Sequence, residues 1–296
     1  MTDTPLGDQA AIDAARRSRL AEKVFPRPPS TRVIAVANQK GGVGKTSTAV
    51  NLAAALALGG QRVLVVDVDP QGNASTALGV DHPADRPSIY EVLLGGRPLA
   101  DAIVASPDQD NLWCVPATID LSGSEIELVN EPKREHRLHE AVGDLRRHLR
   151  RTGQAPLDYV IVDCPPSLGL LTLNAFVAAK EVLIPIQCEY YALEGLSQLL
   201  RTIGLVRESL NPELAVSAIL LTMYDGRTNL ARDVVREVKG HFPDEVMEAT
   251  IPRSVRIAEA PGFGQTVIAY DPNSTGALAY REAALELAER AGGRNG

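Results

Sequence analysis

Gln39-Lys40-Gly41-Gly42-Val43-Gly44-Lys45-Thr46-Ser47 stands between an apolar run, Arg32-Val33-Ile34-Ala35-Val36-Ala37, and an Ala/Leu-rich stretch, 48–58, that stops at Gly59-Gly60. The run reads as a buried parallel strand and the stretch as a helix with a glycine stop. Between them Gly41, Gly42 and Gly44 let the backbone curl so that successive N–H groups point inward, and the helix N-terminus adds a positive dipole end. Strand, glycine-rich turn and helix is the context a phosphate-binding loop requires. In that reading Lys45 lies against β- and γ-phosphates, and the Thr46 hydroxyl ligates Mg²⁺. One position departs from G-x-x-x-x-G-K-[ST]: Lys40 occupies the place of the first glycine. A second lysine at the head of the loop suggests a nucleotide site completed by another protein molecule. The competing reading is a glycine turn flanked by two solvated lysines, which leaves the motifs below to coincidence.

At 296 residues and 45% hydrophobic content the chain can bury a large core, as one large α/β domain or two smaller ones. No apolar stretch is long enough to cross a bilayer and the N-terminus lacks the apolar centre of a signal peptide, so a cytoplasmic protein is expected. Cys114, Cys164 and Cys188 are scattered without C-x-x-C spacing, which argues against a disulfide framework or a zinc or iron–sulfur site. A net charge of −7 excludes a uniformly basic nucleic-acid binder while leaving room for a local basic patch.

From residue 31 onward, apolar strand candidates alternate with helical patterns, the signature of a doubly wound, mostly parallel sheet with helices on both faces. The expected strands are 32–37, 62–67, 112–116, 159–163, 181–185, 215–223 and 246–251, with a terminal helix over 275–291. Residues 1–30 read as a mobile arm containing a short helix over 10–24 with Arg16, Arg17, Arg19 and Lys23, and a breaker, Pro26-Arg27-Pro28-Pro29. A partner-binding or DNA-touching segment is the other reading of that arm. Residues 31–296 form the phosphate-loop domain.

Acids end two of these strands. Val63-Leu64-Val65-Val66 runs into Asp67-Val68-Asp69-Pro70-Gln71-Gly72-Asn73, and ligands of open α/β sheets bind beyond the carboxyl ends of strands. Asp67 and Asp69 therefore fall on the nucleotide side, one suited to the magnesium sphere and the other to holding an attacking water. A plain Asp-Pro and Gly-Asn turn is the alternative. Tyr159-Val160-Ile161-Val162-Asp163 is an apolar strand ending in a carboxylate, a pattern that supports hydrated magnesium behind a phosphate loop.

Lys40 to Thr46, Val66 to Asn73 and Val162-Asp163-Cys164-Pro165-Pro166-Ser167 together resemble the deviant Walker-A ATPases, and within them the ParA/Soj chromosome-partitioning family. The resemblance continues through 221–230, 251–261 and Tyr270-Asp271-Pro272, covering about residues 31 to 290. It implies an ATP hydrolase using ATP and Mg²⁺, slow alone and stimulated by a ParB-type centromere-binding protein. It also implies an ATP-sandwich homodimer that binds double-stranded DNA nonspecifically and is associated with the nucleoid. Position by position, Lys40 matches the signature lysine that reaches the partner's phosphates, Lys45 the loop lysine, and Gly41, Gly42, Val43, Gly44 and Ser47 the rest of the cradle. Thr46 matches the magnesium ligand, Asp69 the aspartate that positions water, and Asp67 and Asp163 support the metal from further out. Pro252, Arg253 and Ser254 correspond to a segment beside the adenine, with Met223 near the base. Arg227 and Arg256 match DNA-contacting positions, and Arg232, Arg236 and Lys239 follow at helical spacing.

The basic segment 133–151, with seven Lys/Arg against three acids, reads as a solvated helix face or an accessory surface. The main alternative function is a MinD-like membrane-associated cell-division regulator, which needs a basic amphipathic C-terminal helix. Here 280–290 carries Glu282, Glu286 and Glu289 and runs into Gly292-Gly293-Arg294-Asn295-Gly296. A metal-cluster carrier lacks its paired cysteines, and an amide-forming ligase would share the fold, although no residue pattern marks its substrate pocket.

Overall fold

The computed structural model describes residues 5–290 apart from Ala84, Tyr190 and Tyr191; the first four residues of the arm and the glycine-rich end at 292–296 lie outside them. Strands β1 (Arg32–Val36), β2 (Val63–Asp67), β3 (Val104–Ala105), β4 (Leu112–Val115), β5 (Tyr159–Asp163), β6 (Glu181–Gln187), β7 (Ala215–Tyr224) and β8 (Val246–Pro252) form one sheet in the order β3-β4-β2-β5-β1-β6-β7-β8. Every pair is parallel except β3 with β4. The two-residue β3 has too little periodicity to be expected from sequence.

The central strands are apolar on both faces because both faces are covered. Along β2, Val63 and Val65 enter one core while Leu64 and Val66 enter the other; β5 splits the same way, with Tyr159 and Ile161 opposite Val160 and Val162. Helices α1 (Pro5–Ala21), α2 (Lys45–Leu58) and α3 (Asn73–Ala77) lie on one face. Helices α4 (Ile89–Leu93), α5 (Leu121–Leu128), α6 (Arg137–Arg151), α7 (Leu170–Ala178), α8 (Ala192–Ser209) and α9 (Asn229–His241) cover the other. The chain then returns to the first face with α10 (Val255–Glu259), α11 (Val267–Tyr270) and α12 (Thr275–Glu289). Each Val, Leu or Ile withdrawn fully from water in these layers contributes about 1.5–3 kcal/mol.

Most of the expected strands shift by one residue at one end relative to the sequence reading; the loop helix, β6, the arm's helix and the terminal helix, which ends at Glu289, move further, and the arm's helix also differs in setting. The loop helix starts at Lys45 rather than Thr48, and β6 runs to Gln187 rather than Pro185. The arm's helix spans Pro5–Ala21 and lies against α12: Arg16 Nε donates to Glu282 Oε1 at 2.9 Å, and Leu20 and Phe25 are buried. Phe25 sits over Gly59, where any Cβ would strike its ring. Helix α6 buries Leu138, Val142, Leu145 and Leu149 and turns its arginines outward, as a solvated amphipathic face does.

Candidate functional site

All the loops that carry the expected site residues leave the carboxyl ends of adjacent strands. The segment after β1 holds the glycine loop, Asp67 and Asp163 are the last residues of β2 and β5 with Asp69 just beyond β2, and Met223 and Pro252 lie at the ends of β7 and β8, followed by Arg227 and residues 253–256. Gly42 and Gly44 have φ of 75° and 82°, where a side chain would be strained. Gly44 caps α2 without any side-chain acceptor, so the first N–H groups of that helix are open to an anion.

The loop is pinned from both sides by residues that the motif alone does not reveal. Thr222 Oγ1, buried at the end of β7, donates to the Val43 carbonyl at 2.8 Å. Asn38 Nδ2 donates to Pro185 O at 2.8 Å, and its Oδ1 accepts from Lys40 N at 3.0 Å. Asn38 was legible in principle as an asparagine heading the glycine turn. Thr222 comes from a strand nearly two hundred residues away. Asn51 ties the base of α2 to α11, accepting from Val267 N at 2.7 Å and donating to Ser47 O at 2.7 Å.

The two lysines occupy different worlds. Lys45 is buried, its Nζ donates to Lys40 O at 3.2 Å, and burial lowers its pKa against the opposing pull of Asp163 and Asp69. Lys40 stands at the rim, half exposed, with its ammonium 2.6 Å from Glu189 Oε2. Glu189 is in turn held by Gln187 Nε2, so the last residue of the lengthened β6 positions the acid that pairs with Lys40.

The three acids are equally distinct. Asp67 and Asp163 are register partners on β2 and β5, both fully buried. Asp67 spends both oxygens on protein: Oδ1 accepts from Asp69 N at 3.2 Å, and Oδ2 accepts from Ser75 N at 2.9 Å and Ser75 Oγ at 2.7 Å. Burial raises it to about 6 despite those donors. It therefore anchors α3 and the Asp69 turn rather than offering a free oxygen. Asp163 has no hydrogen-bond donor on either oxygen; burial first and then Asp67 push it well above the usual carboxylate range. The Thr46 hydroxyl beside it pulls the other way without regular hydrogen-bond geometry. A buried carboxylate left unsatisfied next to Thr46 and Lys45 fits a hydrated divalent cation. Asp69 is buried with Oδ1 accepting from Gln71 N at 3.1 Å.

On the far side, Tyr224 and Pro252 are register partners, so Met223 and the 252–254 segment meet at the ends of β7 and β8. Met223 has φ of 51°, an uncommon conformation for a non-glycine residue, stored where β7 and β8 lose regular register. Ser254 is half-buried and Arg253 exposed. Arg227 is 91% exposed and gripped by both oxygens of Asp225 at 2.8 Å. Arg256 pairs with Glu259 at 3.1 Å and Asp271 at 3.4 Å. Arg236 and Lys239 pair with Asp233 and Glu248.

A family model described as an AAA domain matches residues 31–216. The chromosome partitioning protein ParA of Myxococcus xanthus is 52% identical over 259 residues, 88% of each chain. The sporulation initiation inhibitor protein Soj of Bacillus subtilis is 51% identical over 257 residues, 87% of this chain and 98% of that protein. The chain belongs to the ParA/Soj family of chromosome-partitioning ATPases. Among solved structures, cobyrinic acid a,c-diamide synthase of Mycobacterium smegmatis with a bound ATP analog and magnesium is 42% identical with a TM-score of 0.72, covering 86% of this chain and 93% of that one. Membership in the ParA/Soj family supports ATP hydrolysis by this chain, and it is the neighbouring synthase that holds an ATP analog and magnesium. No helix among the described residues is long and apolar enough to cross a membrane.

Proposed function

We propose that this chain is an ATP-dependent DNA-partitioning ATPase whose two copies close around ATP, bind DNA without sequence preference, and hydrolyse ATP when a ParB-type centromere-binding protein stimulates them. The observation that carries this reading is the contrast between the lysines. Lys45 is committed to its own buried cradle, whereas Lys40 presents its charge at the rim against an exposed acid. Such a charge raises the positive potential at the phosphates only when two subunits meet, which makes ATP part of the interface and its hydrolysis a timer.

Within one subunit the open N–H groups of Gly41, Gly42, Val43, Gly44 and the α2 N-terminus receive the phosphate oxygens, with Lys45, Thr46 and Ser47 completing the cradle. Thr46 and, through water, Asp163 are the residues that would hold magnesium, which neutralises charge developing on the phosphates. Asp69 orients the hydrolytic water, and Asp67 fixes the turn that presents it. Met223, Pro252, Arg253 and Ser254 border the adenine. Arg227, on the loop after β7, and Arg256, on α10 after β8, lie at the same sheet edge and contact DNA phosphates after exchanging their present carboxylates for them.

A MinD-like role is disfavoured by α12, which buries Leu278, Leu285 and Leu287 in the core and shows Glu289 to solvent. The test combines sizing and DNA sedimentation with and without ATP, for the natural protein and Lys40→Ala. Expected is an ATP-dependent dimer that retains DNA, with dimerisation and turnover lost in Lys40→Ala while monomeric nucleotide binding partly survives. A Lys40→Ala protein that dimerises and turns over fully would remove the trans lysine. Sedimentation with anionic liposomes in place of DNA would favour the membrane reading.

A further inference from the structure

Helix α1 precedes the stretch matched by the family model, which starts at residue 31; its acids, Asp8 and Asp13, lie in its first part, and its cations gather towards its carboxyl end and just beyond it. Residues 11–27 carry five cations, Arg16, Arg17, Arg19, Lys23 and Arg27, against Asp13 and Glu22, while the whole chain is at −7. Among the described residues, Arg16 is the one of these five that is spent on ion pairs, with Glu282 and Asp13. Together with buried Leu20 it fastens the helix to α12.

Arg17 points to a different place. Its Nη1 donates to the Asn273 carbonyl at 2.9 Å, a neutral acceptor that leaves the charge uncompensated. Asn273 is two residues from Asp271, the carboxylate that holds Arg256 at 3.4 Å. Two residues of chain span at most about 7 Å, so Arg17 and Arg256 grip one short loop, and their guanidiniums lie within roughly 20 Å of each other. That is well inside one helical turn of duplex, about 34 Å. Arg19 is exposed on the last turn of α1 and Lys23 is exposed two residues past the helix end, with no carboxylate in ion-pair range of either among the described residues. Arg256 must give up two acids to take a phosphate. Arg17, Arg19 and Lys23 give up none, so each adds favourable charge at lower cost.

We propose that α1 is a phosphate-contacting strip that extends the DNA surface begun by Arg256 along the outside of α12. The inference rests on the nonspecific DNA-binding reading given above. Docked in place by Arg16 and Leu20, the strip offers a pre-ordered row of cations to the backbone of a duplex and reads no bases.

The test measures ATP-dependent binding to a duplex of arbitrary sequence between 50 and 200 mM salt for Arg17→Glu and for Arg19→Glu with Lys23→Glu, all retaining Arg16 and Leu20. Expected is at least five-fold weaker binding for each, and a salt slope reduced by about 0.9 for every phosphate contact removed. Arg17→Lys should keep the slope, and ATPase rate without DNA and thermal midpoint should match the natural protein in all variants. Unchanged affinity and slope in both charge reversals, beside a clear loss in Arg227→Ala with Arg256→Ala, would overturn the strip while leaving the DNA reading intact. A natural protein that fails to hold DNA with ATP would overturn the DNA reading itself. Loss of binding to phosphatidylglycerol vesicles instead of duplex would show that the strip serves a membrane and overturn it as a DNA contact.

Discussion

Lys40 and Glu189 form an ion pair that the proposed dimer would have to break. Both side chains are substantially exposed, 39% and 45%, so the pair is worth about 0.2–1 kcal/mol. That restrains Lys40 without trapping it. Glu189→Gln should therefore lower the protein concentration needed for ATP-dependent dimerisation by up to about five-fold, and an unchanged threshold in sizing experiments would show that the pair does not hold the lysine back. Asp69→Ala should trap the ATP-bound dimer, read as persistent DNA retention without phosphate release; undiminished hydrolysis would remove Asp69 from its role. Asp163 carries a measurable stability cost. Its folded pKa lies above its unfolded value because burial and Asp67 oppose its charge, so the native state holds the proton more tightly. Nucleotide-free stability accordingly falls as pH rises from the ordinary carboxylate range through the raised pKa. Asp163→Asn abolishes that fall. Thermal melts without nucleotide should show the variant more stable than the natural protein at pH 8, by about 2–4 °C for each kcal/mol relieved, with the gap closing towards pH 4. Hydrolysis should drop at the same time, since the carboxylate that strains the fold is the one proposed to serve the cation.

At the scale of elements, the site is a set of strand ends, and its precision depends on which strands are neighbours. β1 lies between β5 and β6, so the glycine loop is flanked by Asp163 on one side and Glu189 on the other. β7 reaches past β6 to hold the loop through Thr222. Thr222→Val keeps shape but strands the buried Val43 carbonyl, a loss of about 1–3 kcal/mol. Its expected signature is weaker ATP binding together with a lower thermal midpoint; ATP affinity equal to that of the natural protein would show that the loop holds its curl unaided. The strands themselves were legible because doubly buried parallel strands are continuous Val/Ile/Leu runs ending in Asp. β3 was not, since two residues make no period, and the end of β6 was not, since Pro185 reads as a stop where the pairing with β7 carries the strand on to Gln187.

For the molecule as a whole, one face of the sheet carries α1–α3 and α10–α12 and the other carries α4–α9, leaving the carboxyl edge as the free working surface. Arg227 and Arg256 leave that edge already paired with carboxylates, so the proposed DNA binding would be an exchange of partners rather than capture by bare cations. Arg227→Ala with Arg256→Ala should weaken ATP-dependent DNA retention about uniformly across sequences and reduce its salt slope by about 1–2. Retention unchanged at moderate salt would exclude both residues from the surface. Basal ATP hydrolysis should be unaffected, since neither arginine touches the cradle.

Read alone, the sequence determined the phosphate loop, the Asp-ended strands, the doubly wound class and the family, because each is written in local spacing: glycines where φ turns positive, apolar runs where both faces are covered, acids at strand ends. Tertiary structure alone decided the partners. Asp67 and Asp163 are the same residue type ending the same kind of strand, yet one is saturated by Ser75 and the other is left without a donor. The segment read as an arm lies against α12 through Arg16, Leu20 and Phe25, and the signature lysine rests on Glu189. These differences arise from contacts between residues far apart in the chain, and the free energy of a charge or a polar group is set by what surrounds it in space.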